Sequence, residues 1–508
     1  MRGPHNIWRL IRTLATLERT GGIGVVLEAF HAPPRLRIVA HVLGWPFKWL
    51  GLKGDPDLPP ATRALTALGP AYIKFGQVLS TRPDIIGDEL ALQLKYLQDK
   101  LPPFPMAVAR KMIEAELALP VDQMFSEFSE PVAAASIAQV HRARLADTGQ
   151  EVAVKVLRPN IGRAFRKDID AFYLAARIIE LLAPAARRLR PTDVITHFDG
   201  VVQGELDLRL EAAAAGEFAA NTKDDAGFQV PKVIWHLSGR QVMTLDWAEG
   251  TNMADNAAID VAGHDRTRLA TRVLQLFLSH ALRDGYFHAD MHQGNLKVAA
   301  NGNIIAFDFG IMGRLDEYTR RVYAEILFGF IRKDYRRVAE VHFEAGYVPP
   351  DHDIDEFARA LRVVGEPIFG MDASRISMAR LLSYLFEVTE RFGMETRTEL
   401  ILLQRTMVVV EGVARGLDPH MNIWQVAAPT VQDYITRNIG PKAFVRDLVK
   451  TARVLARFAP KLPAMVEAQL LRQADQPQAK PQAPLHPIVW AGAGAGLLAM
   501  GIWIGTVL

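Results

Sequence analysis

Three short segments, in fixed order along the chain, constrain this sequence more than any other feature. The first is Val152–Val156, VAVKV, which sets Lys155 within an apolar, β-branched run and so predicts a strand. The second, HADMHQGN, opens at His288 and places Asn295 five residues after Asp290. The third, Asp308-Phe309-Gly310, closes the apolar run IIAF and lies 18 residues beyond Asp290. Each is weak alone. A strand lysine commonly snorkels from an edge, and His288, Asp290 and His292 alternate along an extended segment as metal ligands can. In this order and spacing they make the set that phosphoryl transfer demands: a lysine for the α/β-phosphates, Asn295 and Asp308 as hard oxygen ligands for Mg²⁺, and Asp290 to accept a proton or orient the attacking group. A zinc-hydrolase reading of His288, Asp290 and His292 leaves Lys155 and the DFG triplet unexplained.

Composition narrows the remaining choices. The 508 residues are 49% hydrophobic and 23% charged, enough for a large core and about three domains. A net charge of +3 excludes a protein that coats nucleic acid, so no nucleic-acid partner is expected. With 0 cysteines there are no disulfides, thiolate nucleophiles, iron–sulfur clusters or Cys-ligated zinc sites. The opening MRGPHNIWRLIRTLATLERTGG has neither an uninterrupted apolar stretch nor a small-residue cleavage site, so no secretory signal is read there.

The chain divides into a helical N-terminal extension, 1–125, a β-containing lobe, 126–250, and a helical lobe, 251–471. Residues around Asp147-Thr148-Gly149 predict a hairpin, and FQVPKVIW with RQVMTLDW predict a further strand pair. A Pro/Gln-rich linker, 472–487, then leads to the uncharged segment 488–508, IVWAGAGAGLLAMGIWIGTVL. As a helix these 21 residues span roughly 30 Å, so a transmembrane segment is expected rather than a buried terminal helix. Gly492/Gly496 and Gly501/Gly505 have the GxxxG spacing that permits a homodimer through this helix. Lys450, Arg453, Arg457 and Lys461 form one basic stripe, suited either to anionic headgroups or to plain solvation. The segment Arg35–Lys53, with Trp45 and Trp49, offers the same choice between a membrane interface and an ordinary core helix. The basic excess before the span places the main body in the cytoplasm of a bacterial-type inner membrane.

With these motifs the sequence resembles the UbiB family of atypical protein-kinase-like proteins, from about Leu65 to Gly313. The family's KxGQ signature appears as Lys74-Phe75-Gly76-Gln77, and its alanine-rich replacement of the kinase Gly-rich loop as Ala133-Ala134-Ala135-Ser136. Its ExD signature appears as Glu205-Leu206-Asp207, and Glu211 matches the glutamate that pairs with the strand lysine. The hinge resembles Met243-Thr244-Leu245-Asp246-Trp247, which implies nucleotide contacts at Asp246 and Trp247. Met291 and Gln293 stand where the family commonly has prolines.

The resemblance implies an α+β, bilobal protein-kinase-like fold with a helical N-terminal extension and a C-terminal transmembrane helix. It implies ATP and Mg²⁺ as cofactors, catalytic roles for Asp290, Lys155 and Glu211, and a gate in which Lys74 and Gln77 lie near Glu205 and Asp207. The implied function is a membrane-anchored atypical kinase or ATPase supporting ubiquinone biosynthesis, with polyprenyl-phenol intermediates or the biosynthetic enzymes as partners. A Ser/Thr protein kinase is the alternative, although no APE-like segment follows Gly310. A polyprenyl-phenol hydroxylase lacks a G-x-G-x-x-G flavin site here, and a nucleotide-sensing scaffold without turnover is the remaining reading.

Overall fold

In the computed structural model, which describes residues 4–29, 45–80, 86–94, 102–182, 190–370, 391–394 and 398–439 with 38, 41, 97 and 388, the chain opens with helices. These are α1 (Pro4–Thr20), α2 (Gly22–Ala29), a 3₁₀ turn (Trp45–Leu50), α3 (Pro60–Leu68), α4 (Pro70–Ser80), α5 (Asp88–Leu94), α6 (Met106–Leu117) and α7 (Val121–Met124). Proline at its start suits α3, since the first turn has no use for the missing N–H, and Gly69 at φ +110 ends it before α4 begins. Within the extension, Thr13 on α1 shares a 2.6 Å hydrogen bond with Tyr72 on α4. Arg9 on α1 pairs with Asp168 and so ties the extension to the β-containing lobe.

Next come β1 (Phe125–Ala134), β2 (Ala138–Leu145), β3 (Glu151–Leu157), α8 (Ile161–Leu182), α9 (Pro191–Glu205), α10 (Leu208–Thr222), β4 (Phe228–Gln229), β5 (Val242–Asp246) and β6 (Thr251–Asn252). Strands β1-β2-β3-β5 form one antiparallel sheet. Alternation along β3 decides its faces: Val152, Val154 and Val156 are buried with Ile113 and Val121, while Ala153 and Lys155 point the other way. On that side Leu157, Met243 and Leu245 pack with Phe165, Phe198 and Ala212 of α8, α9 and α10. The hairpin expected around Gly149 is β2–β3, with Gly149 at φ +71. The second expected pair divides instead. Phe228–Gln229 runs parallel to a strand of the other lobe, Val242–Asp246 pairs with β3, and the two meet through a single bridge, Val233–Leu245.

The larger lobe holds α11 (Asn256–Val261), α12 (Arg266–Ser279), β7 (Tyr286–His288), β8 (Leu296–Val298), β9 (Ile304–Ala306), β10 (Met312–Arg314), α13 (Glu317–Ile331), α14 (Tyr335–Glu344), α15 (Ile354–Gly370), α16 (Thr398–Leu417) and α17 (Ile423–Asn438). Asp255, Asp265, Asp316 and Asp334 cap α11 to α14, each side chain accepting a backbone N–H of the first turn. Short strands order β4-β9-β8-β6, and β7 pairs with β10, so DFG and HADMHQGN both sit at strand ends. Phe277, Phe287, Phe309, Leu403 and Val410 lie in one core beneath them.

The transmembrane part of the expected fold is corrected. Among the described residues no helix is long and apolar enough to cross a membrane. The segment 488–508 lies outside the described residues, as do the linker 472–487 and the stripe Lys450–Lys461. The inner-membrane, single-pass placement with a cytoplasmic body rested on that helix and is withdrawn with it. Residues Met1–Ile435 and Thr436–Leu508 form separate units, and only 436–439 of the second are described.

Candidate active site

Strand β3 delivers Lys155 to the cleft, where its ammonium bridges two carboxylates. It meets Glu211 of α10 at 2.7 and 2.9 Å and Asp308 at 3.4 Å. Burial works against the charge on Lys155, but Asp308 and Glu211 outweigh it and hold its pKa above the ordinary value. The same lysine pulls Asp308 down to about 2 against the effect of burial, with His288 and Lys74 adding to the pull. Asp308 stands at φ +63, a left-handed conformation uncommon for a non-glycine residue. Phe309 is buried beside Phe218 and His288, with ring centroids 5.7 and 5.5 Å apart, so α10 packs directly on the DFG segment. Past the end of α10, Asp225 accepts from His280 at 3.0 Å and Arg283 at 2.6 Å, pinning that end to the larger lobe.

The HADMHQGN loop is held from within. His288 is buried, its Nε2 lies 3.2 Å from the Phe307 carbonyl, and its Nδ1 accepts the Asp290 N–H at 3.1 Å. That pattern needs the neutral Nε2–H form, and burial pushes the His288 pKa down accordingly. With both ring nitrogens engaged, His288 is no metal ligand, and among the described residues no three His, Asp or Glu groups gather to hold a metal. Asn295 donates Nδ2 to the Asp290 carbonyl at 3.0 Å, which leaves its amide oxygen to accept a cation. His292 Nε2 lies 3.7 Å from Asp290, whose side chain is 36% exposed.

Above the cleft, Lys74 of α4 bonds Glu205 at 2.5 Å. Gln77 turns away and donates to the Leu97 carbonyl at 3.4 Å. Asp207 caps α10, and its described bonds go to Arg209, at 2.8 and 2.6 Å to the guanidinium. Of the four expected gate residues, the structure joins Lys74 to Glu205. Ala133 and Ala134 end β1, and the following turn is closed by Ala135 N–H on the Ala138 carbonyl at 2.8 Å and Arg158 on the Ala135 carbonyl at 3.0 Å. Ser136 is fully buried in that turn.

The hinge residues Asp246 and Trp247 are bonded within the protein. The Asp246 N–H is given to Lys232 and the Trp247 N–H to Glu151, while the Asp246 carboxylate accepts from Gln150 at 2.6 Å. Trp247 sits between Arg142 of β2, 4.8 Å from its ring, and Lys297 of β8, 5.0 Å from it. Trp247 thereby links Arg142 of the β-containing lobe to Lys297 of the larger lobe. Arg142 and Lys297 carry no motif in the sequence. Nor do Arg405 and Thr406 of α16, although Thr406 bonds the Ala289 carbonyl at 3.1 Å across 117 positions.

Comparison with known proteins agrees with a kinase-like fold. The ABC1 atypical kinase-like domain matches residues 96–342, and the UbiB helical domain matches 361–422. The chain is 40% identical over 414 residues to a "Probable protein kinase UbiB" of Marinobacter nauticus, covering 80% of this chain and 76% of that one. It is 38% identical over 481 residues to the protein of that name in Aeromonas hydrophila, covering 94% and 87%. Among solved structures, the complex of Rv3197 with erythromycin from Mycobacterium tuberculosis is similar at TM-score 0.51 and 26% identity, covering 69% of this chain and 90% of that one.

Proposed function

This chain belongs to the UbiB family of atypical kinase-like proteins, and we propose that it is an ATP- and Mg²⁺-dependent ATPase or phosphotransferase that supports ubiquinone biosynthesis. The observation that carries the reading is Lys155 joined at once to Glu211 and Asp308. A buried ammonium is worth maintaining between two carboxylates where a polyphosphate and its cation must be bound in register.

The residues present fit magnesium and nucleotide. Asp308 stays ionised down to about 2 and is half exposed to the cleft, while Asn295 offers an amide oxygen; two hard oxygen donors suit Mg²⁺ and leave room for phosphates and water. Bound Mg²⁺·ATP would supply the γ-phosphoryl group and offset its charge. Lys155 places positive charge against the phosphates, and Glu211 keeps that ammonium aimed. Asp290 receives the acceptor's proton or orients its oxygen. The alanine-rich turn at Ala133–Ser136 holds its backbone by its own hydrogen bonds, without the freedom of a glycine loop.

On this reading, residues 1–125 gate the site, 126–250 carry Lys155, and 251–471 carry Asp290, Asn295 and Asp308. Polyprenyl-phenol lipids are the substrate or effector class, with ubiquinone-biosynthesis enzymes as the other partners. Exposed Trp45, Phe47 and Trp49 beside Lys48 support contact with an anionic lipid surface. The alternative is a Ser/Thr protein kinase; the relatives' names support protein phosphorylation without specifying the acceptor residue.

Tracing a γ-phosphate label from Mg²⁺·ATP tests the proposal in the presence of anionic vesicles and a phenolic quinone precursor. Label appearing in water or lipid supports it. Label on protein favours the kinase alternative, and no Mg²⁺-dependent nucleotide binding overturns the reading.

A further inference from the structure

We propose that Arg158 is a positioning residue for the nucleotide, holding the alanine-rich turn between β1 and β2 in the shape that receives it. The proposal rests on the nucleotide reading above. Strand β3 ends at Leu157, which pairs with Ala138 at the start of β2, so the turn Ala135–Ile137 lies just past that last pair, beside Arg158. Arg158 holds two carbonyls of this turn. Its backbone N–H donates to Ile137 at 2.8 Å, and its side-chain Nε donates to Ala135 at 3.0 Å. The Ala135 N–H is given to the Ala138 carbonyl at 2.8 Å. Pro159 follows directly and narrows the backbone freedom of Arg158 itself.

The guanidinium is seated from its other side. The Phe104 ring centroid lies 5.9 Å from it. Phe104 is fixed in turn by Gln139, fully buried, whose side-chain amide accepts the Phe104 N–H at 2.9 Å and donates to the Phe104 carbonyl at 3.3 Å. Phe104 shares a core with Val152, Val154 and Val156, the face of β3 opposite Lys155. Arg158 therefore braces the turn from behind, away from the face on which Lys155 meets Glu211 and Asp308, and acts on a nucleotide only through the turn. A glycine loop can take its shape as the ligand arrives, whereas the Ala133–Ser136 backbone has less freedom and depends on bonds that set its shape beforehand. A turn shaped in advance loses little freedom on binding, so the brace contributes to affinity and not to the chemical step.

Calorimetric titration of the full chain with Mg²⁺·ADP tests this, together with hydrogen exchange in the absence of nucleotide. R158M keeps a long apolar side chain without a donor, and it should bind Mg²⁺·ADP about three- to tenfold more weakly than the parent. R158K, whose ammonium can donate to the same carbonyl, should recover part of that loss. In turnover, KM for Mg²⁺·ATP should rise by the same factor in R158M with kcat held. Exchange at residues 133–138 should quicken in R158M while the larger lobe keeps parental rates. Parental nucleotide affinity in R158M overturns the assignment, as does a fall in kcat with KM held. Weaker binding with faster exchange throughout both lobes also overturns it, since that marks a general loosening. A parent that binds no Mg²⁺·ADP overturns the nucleotide reading beneath it, whatever the exchange rates at the turn.

Discussion

Asp308 is pulled down to about 2 by Lys155, and in the proposed site the same carboxylate offers the charge a cation needs. Asp308→Asn keeps the shape and removes the charge, so Mg²⁺-dependent ATP affinity should drop by about 10²-fold or more with the fold intact. Calorimetric titration checks this, and unchanged Mg²⁺-dependent affinity would remove Asp308 from the site. His342 is held neutral, where Asp308 is held charged. It is 6% exposed, donates Nδ1–H to Val338 at 2.7 Å, and burial lowers its pKa from 6.5 to about 4. Its folded value lies below its unfolded one, so the unfolded chain binds more protons between those two values. The contribution is fully present above pH 6.5 and is lost as pH falls toward about 4, at most about 3 kcal/mol. Tm should decline over that interval, and His342→Gln should flatten the slope between pH 6.5 and 5, before most carboxylates titrate. An unaltered slope in the variant would show that the decline belongs to other groups.

Helix α4 shows how an element imposes its residues. Gly76 faces Leu97 and Leu65, where any added Cβ would overlap both side chains. Gly76→Ala should therefore cost about 1–3 kcal/mol in thermal or denaturant unfolding and loosen Lys74 from Glu205. A variant with parental stability would mean that the helix packs less tightly than it stands. The 3₁₀ turn Trp45–Leu50 is fixed to α1 by Arg19 on the Gly51 carbonyl at 2.7 Å and Thr16 on the Leu52 N–H at 3.1 Å. Its Trp45 and Trp49 are 72% and 73% exposed on a rigid base. W45A/W49A should weaken sedimentation with anionic vesicles and leave Tm unchanged; parental sedimentation would remove this turn as a lipid contact. Legibility in the sequence obeys the same boundary between local and distant. Lys155, Asp290, Asn295 and Asp308 declare themselves because each lies in a short motif, and the hairpin at Gly149 because its turn residues are adjacent. The division of FQVPKVIW from RQVMTLDW could not be read, since β4 finds its partner in β9, more than seventy positions on. Trp247 between Arg142 and Lys297, and Thr406 on Ala289, join residues that no window along the chain contains.

At the scale of the whole molecule, helix α4 fastens the extension to the β-containing lobe. Helix α4 is held from behind by Tyr72, bonded to Thr13 and packed edge-on to Phe172 at 4.8 Å, and by Phe75 against Phe172 and Phe198. It is held in front by Lys74 on Glu205, both largely buried, and Lys74 still bears on the charge of Asp308. On the proposed nucleotide reading, a helix so anchored stands where a folded protein substrate must find room to approach. Water, a small molecule or a lipid headgroup needs far less. The intact chain should thus transfer no γ-phosphate label to generic folded proteins added in trans. Lys74→Ala leaves Glu205 without its ammonium, a buried carboxylate uncompensated, so α4 should loosen rather than the lobes unfold. The expected signature is altered turnover or nucleotide selectivity with little change in the main unfolding transition. Two results would refute the gate: robust labelling of a folded protein by the unmodified chain, or a Lys74→Ala chain equal to the parent in ATP affinity, turnover and product distribution.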